Sequence, residues 1–266
     1  MPWLWAPWGS WPGRFSHRFN SSHSGTTHLP LKKRASVLDH IEELRARLLT
    51  SFVAIAIFAA AAYFFSRPLL NFLTLPLAEL GARDLYFTAP YEAFLVHLKV
   101  SFLAGFLLGS PVFFSQLWLF VAPGLHRRER QVALPLTLIS VFLFLLGAAF
   151  AFWILVPAGL RFLLGFETES VRPLLGIDSY LSFLVGMVLA SGILFILPVV
   201  VLGLVQVGVL KANTLEGSRK GVIVAILLLA AILTPSPDPV GQVLLALPIL
   251  LLYEGCVRVA KWFEKK

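Results

Sequence analysis

Charged residues are scarce in this chain, and they come in bunches. From Val100 to Leu125 there is none, and then His126, Arg127, Arg128, Glu129 and Arg130 arrive together before a second uncharged run opens at Gln131. A second bunch, HIEELRAR, holds Glu42, Glu43, Arg45 and Arg47. The chemistry these groups can do is charge-assisted pairing, in which a carboxylate accepts from a guanidinium fork. Taken alone, Glu43 and Arg47 read as a solvated pair one helical turn apart, and Glu129 as an offset to the cations around it.

Catalytic constellations are missing. The sequence has no GxxxxGK[ST] phosphate loop, no GxSxG elbow and no HExxH helix, and no carboxylate, Lys or His stands mid-span. Such a chain reads as no enzyme and needs no cofactor. One cysteine, Cys256, excludes an intrachain disulfide and a thiolate cluster. Glu92 and His97 are five apart with no third ligand nearby, so a metal is not expected there.

The elements that must position these charges are membrane spans. With 58% hydrophobic residues, 14% charged and a mean hydropathy of +0.83, the 266 residues do not fit a soluble domain. Six apolar segments follow one another: about 48–65, 100–122, 132–156, 179–209, 221–233 and 239–253. The last two are short, about 20–22 Å at 1.5 Å per residue against a hydrocarbon core of about 30 Å. Pro123-Gly124 ends the second span, because proline breaks the ladder and glycine accepts a left-handed C-cap. Prolines 111, 198 and 248 inside spans should kink them and curve the bundle.

Of 22 Lys and Arg, only Arg67, Arg83, Lys99, Arg161 and Arg172 fall on the face opposite the termini, which puts both termini in the cytoplasm. Residues 1–34, with four Trp among prolines and a Ser/Thr/His-rich tract, read as a disordered extension ahead of a membrane domain at 35–266. A capping box, Ser36 to Asp39, marks a helix start. The helix it opens should lie along the membrane surface before turning in. Residues 67–97 and 157–178 read as packed segments on the outer side. The fold class is therefore an all-α polytopic membrane protein with six transmembrane helices.

Read together, HIEELRARLL, PYEAF with Lys99 ahead of span two, SPVFFSQLWLFVAPGLHRRER, DSYLSF and LTPSPDPVGQVLLALPILLLYE resemble the TatC family, across about residues 38–262. The resemblance implies a cup-like six-span bundle in the cytoplasmic (inner) membrane. It would be the signal-peptide receptor and core of the twin-arginine translocase, exporting folded proteins with the protonmotive force beside TatA- and TatB-like single-span partners, in an oligomer.

Carried over by position, signal-peptide binding falls to Glu43, Leu44, Arg45, Phe120, Pro123, Glu129 and Arg130. Partner contact falls to Thr234, Asp238 and Gln242, with Pro76 of the first outer segment. Ile196 stands where the family often has Glu or Gln, which removes a polar anchor from span four. Two adjacent guanidiniums need forked carboxylates, and few lie on that boundary, which suits the same sites. The alternative is a small-solute secondary transporter, which would need a mid-span charge.

Overall fold

A computed structural model of the chain describes residues 31–81, 85–121, 130–166, 174–206, 219–233 and 239–264. The chain divides into two units, 1–40 and 41–266; of the first, residues 31–40 are described, as the opening turns of a helix. That helix, α1 (Leu31–Tyr63), is already under way at Ser36. The SVLD pattern therefore does not start it, and residues 31–34, read from sequence as part of the extension, are helical. LKKRA after Pro30 contains good helix formers, which carry the helix upstream of the cap signal. From Ile41 to Tyr63 the helix is unbroken, so the Glu43 turn continues the first span and is not a separate surface helix.

Among the described residues the regular secondary structure is helical, with turns and short connections between the helices and one isolated bridge. Short helices α2 (Ser66–Leu73) and α3 (Leu75–Glu79) follow, then α4 (Glu92–Val121) and α5 (Arg130–Phe150), which runs through a π-helical turn (Ala151–Leu155) into α6 (Val156–Leu164). After them come α7 (Ile177–Gln206), α8 (Arg219–Leu233) and α9 (Pro239–Glu264). Five stretches are long and apolar enough to cross a membrane, His40–Tyr63, Glu92–Phe120, Leu134–Leu164, Ile177–Val205 and Gly241–Arg258, and Lys220–Ile232 is a shorter apolar helix. At 15 residues α8 is about 22 Å long.

The core is held by small residues that admit large ones. Gly147 of α5 lies under Phe195 of α7, and Gly192 of α7 lies under Phe144 of α5. The exchange is reciprocal, and Ser191 Oγ donates to the Gly147 carbonyl at 2.8 Å beside it. In lipid such close approach, with buried hydroxyls bonded across it, replaces the hydrophobic drive that soluble helices use. Pro111 shows the same economy of polar groups: its missing N–H would have gone to Leu107 O, and Ser110 Oγ bonds that carbonyl at 2.7 Å.

At the end where α4 and α7 begin, the segments that precede these two helices are stitched together. Tyr86 and Gly176 form a parallel bridge, with Tyr86 N–H on Leu175 O at 3.1 Å and Ile177 N–H on Tyr86 O at 3.0 Å. Tyr180 donates to Leu73 O at 2.6 Å. Lys99 Nζ meets Asp178 Oδ1 at 2.5 Å and Ser182 Oγ at 2.8 Å, tying α4 to α7. Lys99 lies inside α4, which starts at Glu92, eight residues ahead of the uncharged run that opens at Val100.

The third span also exceeds its sequence reading. Pro157 does not end it, because the π turn just before the proline absorbs the disrupted register and the helix continues to Leu164. Phe72 of α2 stacks on Phe152 of that turn at 4.8 Å.

Candidate functional site

At the opposite end of the bundle, the start of the membrane-crossing part of α1 meets the end of α4. One wall carries Leu44, Arg47, Leu48 and Ser51, and the other Phe113, Gln116, Leu117 and Phe120. The cleft between them is ≈ 40 Å³, room for about one water molecule, so it offers a surface and not a cavity. Its polar edge is an ion pair. Arg47 Nε and Nη2 both donate to Glu43 Oε1, at 3.0 and 2.6 Å, and both side chains are about a quarter to a third exposed (22% and 34%). The two belong together because residues four apart stack on one helix face. Ser51 Oγ bonds the Arg47 carbonyl at 3.0 Å, tightening the same turn.

The α4 wall is fixed by Trp118. Its indole N–H donates to the buried Ser140 hydroxyl of α5 at 2.9 Å, and its ring lies over Gly203 of α7. A Cβ on Gly203 would stand 2.7 Å from the ring, so only glycine lets the indole lie there. Phe114, Trp118, Leu136, Phe144, Ile196 and Val199 form one buried cluster beneath the cleft end of α4. Ile196 is 7% exposed within it, so at this position the chain has apolar packing in place of a polar anchor.

Of the sequence-derived binding residues, Leu44 and Phe120 are brought together as cleft walls, with Glu43 joined to the cleft through Arg47. Arg45 is exposed and lies on the other flank of α1, in a shallow groove with Ile41, Leu44, Leu48, Leu49 and Phe52. Pro123 and Glu129 lie outside the described residues, and Arg130 begins α5. Arg47, which sequence reasoning treated only as a partner for Glu43, is the cleft residue that was missed; its spacing from Glu43 was the available signal.

The partner-contact residues lie elsewhere. Thr234 and Asp238 are outside the described residues. Gln242 is half-buried, and its amide donates to Leu227 O of α8 at 2.9 Å, joining the last two helices. Pro76 is buried at the start of α3. Near the α4 start, Glu92 accepts the Thr88 N–H at 2.9 Å and the Thr88 hydroxyl, while His97 Nδ1 is buried without a hydrogen-bond partner. Among the described residues no three His, Cys, Asp or Glu are grouped to hold a metal. Between α1, α4 and α7 an apolar groove of ≈ 790 Å³ is lined by Phe52, Ala56, Ala59, Tyr63, Phe102 and Val185, with Lys99 at its edge.

These elements define a polytopic, all-helical membrane protein with an ion-paired cleft at one end. The family model described as Sec-independent protein translocase protein (TatC) matches residues 39–248. Among curated relatives, a Sec-independent protein translocase protein TatC of Magnetococcus marinus is 40% identical over 240 residues, covering 90% of this chain and 88% of the relative. A chloroplastic counterpart of Arabidopsis thaliana is 40% identical over 227 residues, covering 85% of this chain and 66% of the relative. A crystal structure of the twin-arginine translocase receptor TatC in DDM superposes with a TM-score of 0.73 at 37% identity, covering 83% of this chain and 99% of that one.

The chain belongs to the TatC family. It is a multi-pass membrane component of a Sec-independent protein translocase, which works with other subunits. The family transports proteins and is not enzymatic, which sets aside the small-solute transporter.

Proposed function

We propose that the chain is the receptor for twin-arginine signal peptides and the core of the translocase that exports their folded cargo across the cytoplasmic membrane, driven by the protonmotive force. The observation that carries this is the Glu43 carboxylate, presented with Arg47, Leu44 and Phe120 at the junction of α1 and α4. A carboxylate at a wet boundary beside an apolar wall suits a peptide that puts a guanidinium next to a hydrophobic segment. Glu129, in the basic stretch of sequence between α4 and α5, supplies the second carboxylate, and Arg45, Pro123 and Arg130 are assigned to the same binding role. The related crystal structure is that of a twin-arginine translocase receptor, which supports the same reading.

Both termini and the Arg127 segment face the cytoplasm in this proposal, on the cation bias. TatA- and TatB-like single-span partners dock along Thr234, Asp238 and Gln242, and buried Pro76 contributes by setting the geometry of the outer segment.

Equilibrium binding of an Arg-Arg signal peptide to the purified full-length protein in nanodiscs tests the receptor role. Each charge-assisted pair at such a boundary is worth about 1 kcal/mol or less, rising to about 1.5–3 where sheltered. Glu43→Gln and Glu129→Gln together should therefore weaken binding measurably at low salt while the protein stays folded. Wild-type affinity in the double variant would place the site elsewhere.

A further inference from the structure

The groove between α1, α4 and α7 runs the depth of one leaflet and has charge at a single end. Gly105 of α4 abuts Ala59 of α1 and Gly109 abuts Ile55, so the two helices run antiparallel and Lys99 stands level with the end of α1. There Tyr63, Phe64 and Lys99 line the groove, and Phe52 lines its far end. From Phe52 to Phe64 is about 18 Å at 1.5 Å per residue, against about 15 Å for half of a hydrocarbon core. Lys99 also marks the membrane boundary: the uncharged residues that follow it, Val100 to Leu119, already span about 30 Å. Ala56 and Ala60, one turn apart, hollow the α1 wall, and the ≈ 790 Å³ of space has an almost wholly apolar lining.

A membrane-crossing helix needs a seat of about 30 Å, and this groove gives little more than half of that. A phospholipid fits both its length and its ends. We infer that the groove is a binding site for one zwitterionic phospholipid, with the acyl chains against Phe52, Ala56 and Ala60 and the headgroup at Lys99 and Asp178. Two of the three Lys99 N–H groups go to Asp178 Oδ1 at 2.5 Å and Ser182 Oγ at 2.8 Å. Among the described residues the third has no partner, and it can donate to a phosphate oxygen. Both side chains of the pair are about one third exposed (33% and 32%), so the pair is open to a ligand. Glu92 lies within electrostatic reach of Asp178. With two carboxylates beside one ammonium, this end favours a headgroup that brings a cationic amine with its phosphate over one that is net negative.

Native mass spectrometry of the full-length protein, ejected from nanodiscs holding POPE, POPG and dioleoylglycerol, tests this. Wild type should keep one POPE per chain and prefer it to POPG about two- to fivefold, the size that partly exposed charge pairs carry. Dioleoylglycerol has the chains without the headgroup and should be kept less than POPE. Ala56→Phe and Ala60→Phe fill the groove and should lose the lipid, whereas Leu138→Phe, on an exposed face of α5, should keep it. Ala56→Leu and Ala60→Leu carry the same test should the phenylalanine variants not fold. Equal retention in filled variants and wild type would mean that the lipid is held elsewhere, and equal retention of POPG or dioleoylglycerol would deny the headgroup seat; either result overturns the inference. So does photo-crosslinking from position 60 in membranes that captures a polypeptide and no lipid.

Discussion

Two glycine-to-alanine substitutions, identical in chemistry, should have opposite effects. Gly105 sits where α4 crosses α1, and a Cβ there would stand 2.5 Å from Ala59 N and 2.6 Å from both Ala59 Cα and Cβ. Carbon atoms sit comfortably about 3.5–4 Å apart, so α1 must retreat by about 1 Å. Two of the three clashing atoms are backbone, so no rotamer change can relieve them. Overpacking of this kind costs about 1–3 kcal/mol. The lower half of that range is expected, because the first span is only lightly packed, 17% buried, and can move as a rod.

Gly255 lies in the interior of α9 with nothing within 4 Å of its would-be Cβ. Alanine there only restricts an over-flexible helical residue and should stabilise by up to about 1 kcal/mol. Thermal unfolding in mild detergent should therefore show Gly105→Ala below wild type and Gly255→Ala at or above it. Nitroxides at Leu48 and Leu117, facing each other across the cleft, should report a wider separation in Gly105→Ala alone. If Gly105→Ala leaves both stability and that separation unchanged, the close α1–α4 approach is wrong, and so is the cleft built on it.

Two further outcomes are expected. Trp118→Phe and Ser140→Ala each strand one partner of a buried hydrogen bond and should each cost about 1–3 kcal/mol; the double variant should cost clearly less than the sum, and strict additivity in unfolding measurements would deny the bond. Crosslinkers at Thr234 and Gln242 should capture a single-span partner protein, whereas capture of lipid alone at both positions would remove the proposed docking edge.

What the sequence disclosed and what it concealed divide along a physical line. Spans were legible because apolar length is local, and Leu44 and Phe120 could be singled out because each lies in a motif that is continuous in sequence. The start of α4 was not legible, because Lys99 reads as a membrane boundary, and the Asp178 carboxylate that pairs with it and the Ser182 hydroxyl that accepts from it lie 79 and 83 residues away. Pro157 read as a span end for a similar reason: whether a proline breaks a helix depends on whether the preceding turn can change register, and here a π turn does so. Ser36 and Asp39 satisfied a capping pattern inside a helix that had already begun, which shows that a cap signal gives way to helix formers upstream of it. The Glu43–Arg47 pair was legible as a pair. That Arg47 also forms a cleft wall facing Phe120 depends on how α1 and α4 meet, which no local pattern records.

Site-specific photo-crosslinking tests the central claim most directly, with p-benzoylphenylalanine placed in turn at Leu44, Phe120 and Phe142, the last on the exposed face of α5. The account predicts that a labelled Arg-Arg signal peptide is captured from positions 44 and 120 and not from 142, and that excess unlabelled Arg-Arg peptide abolishes the capture while Lys-Lys peptide competes less well. Peptide that still binds yet is captured equally from 142, or from neither 44 nor 120, would contradict it.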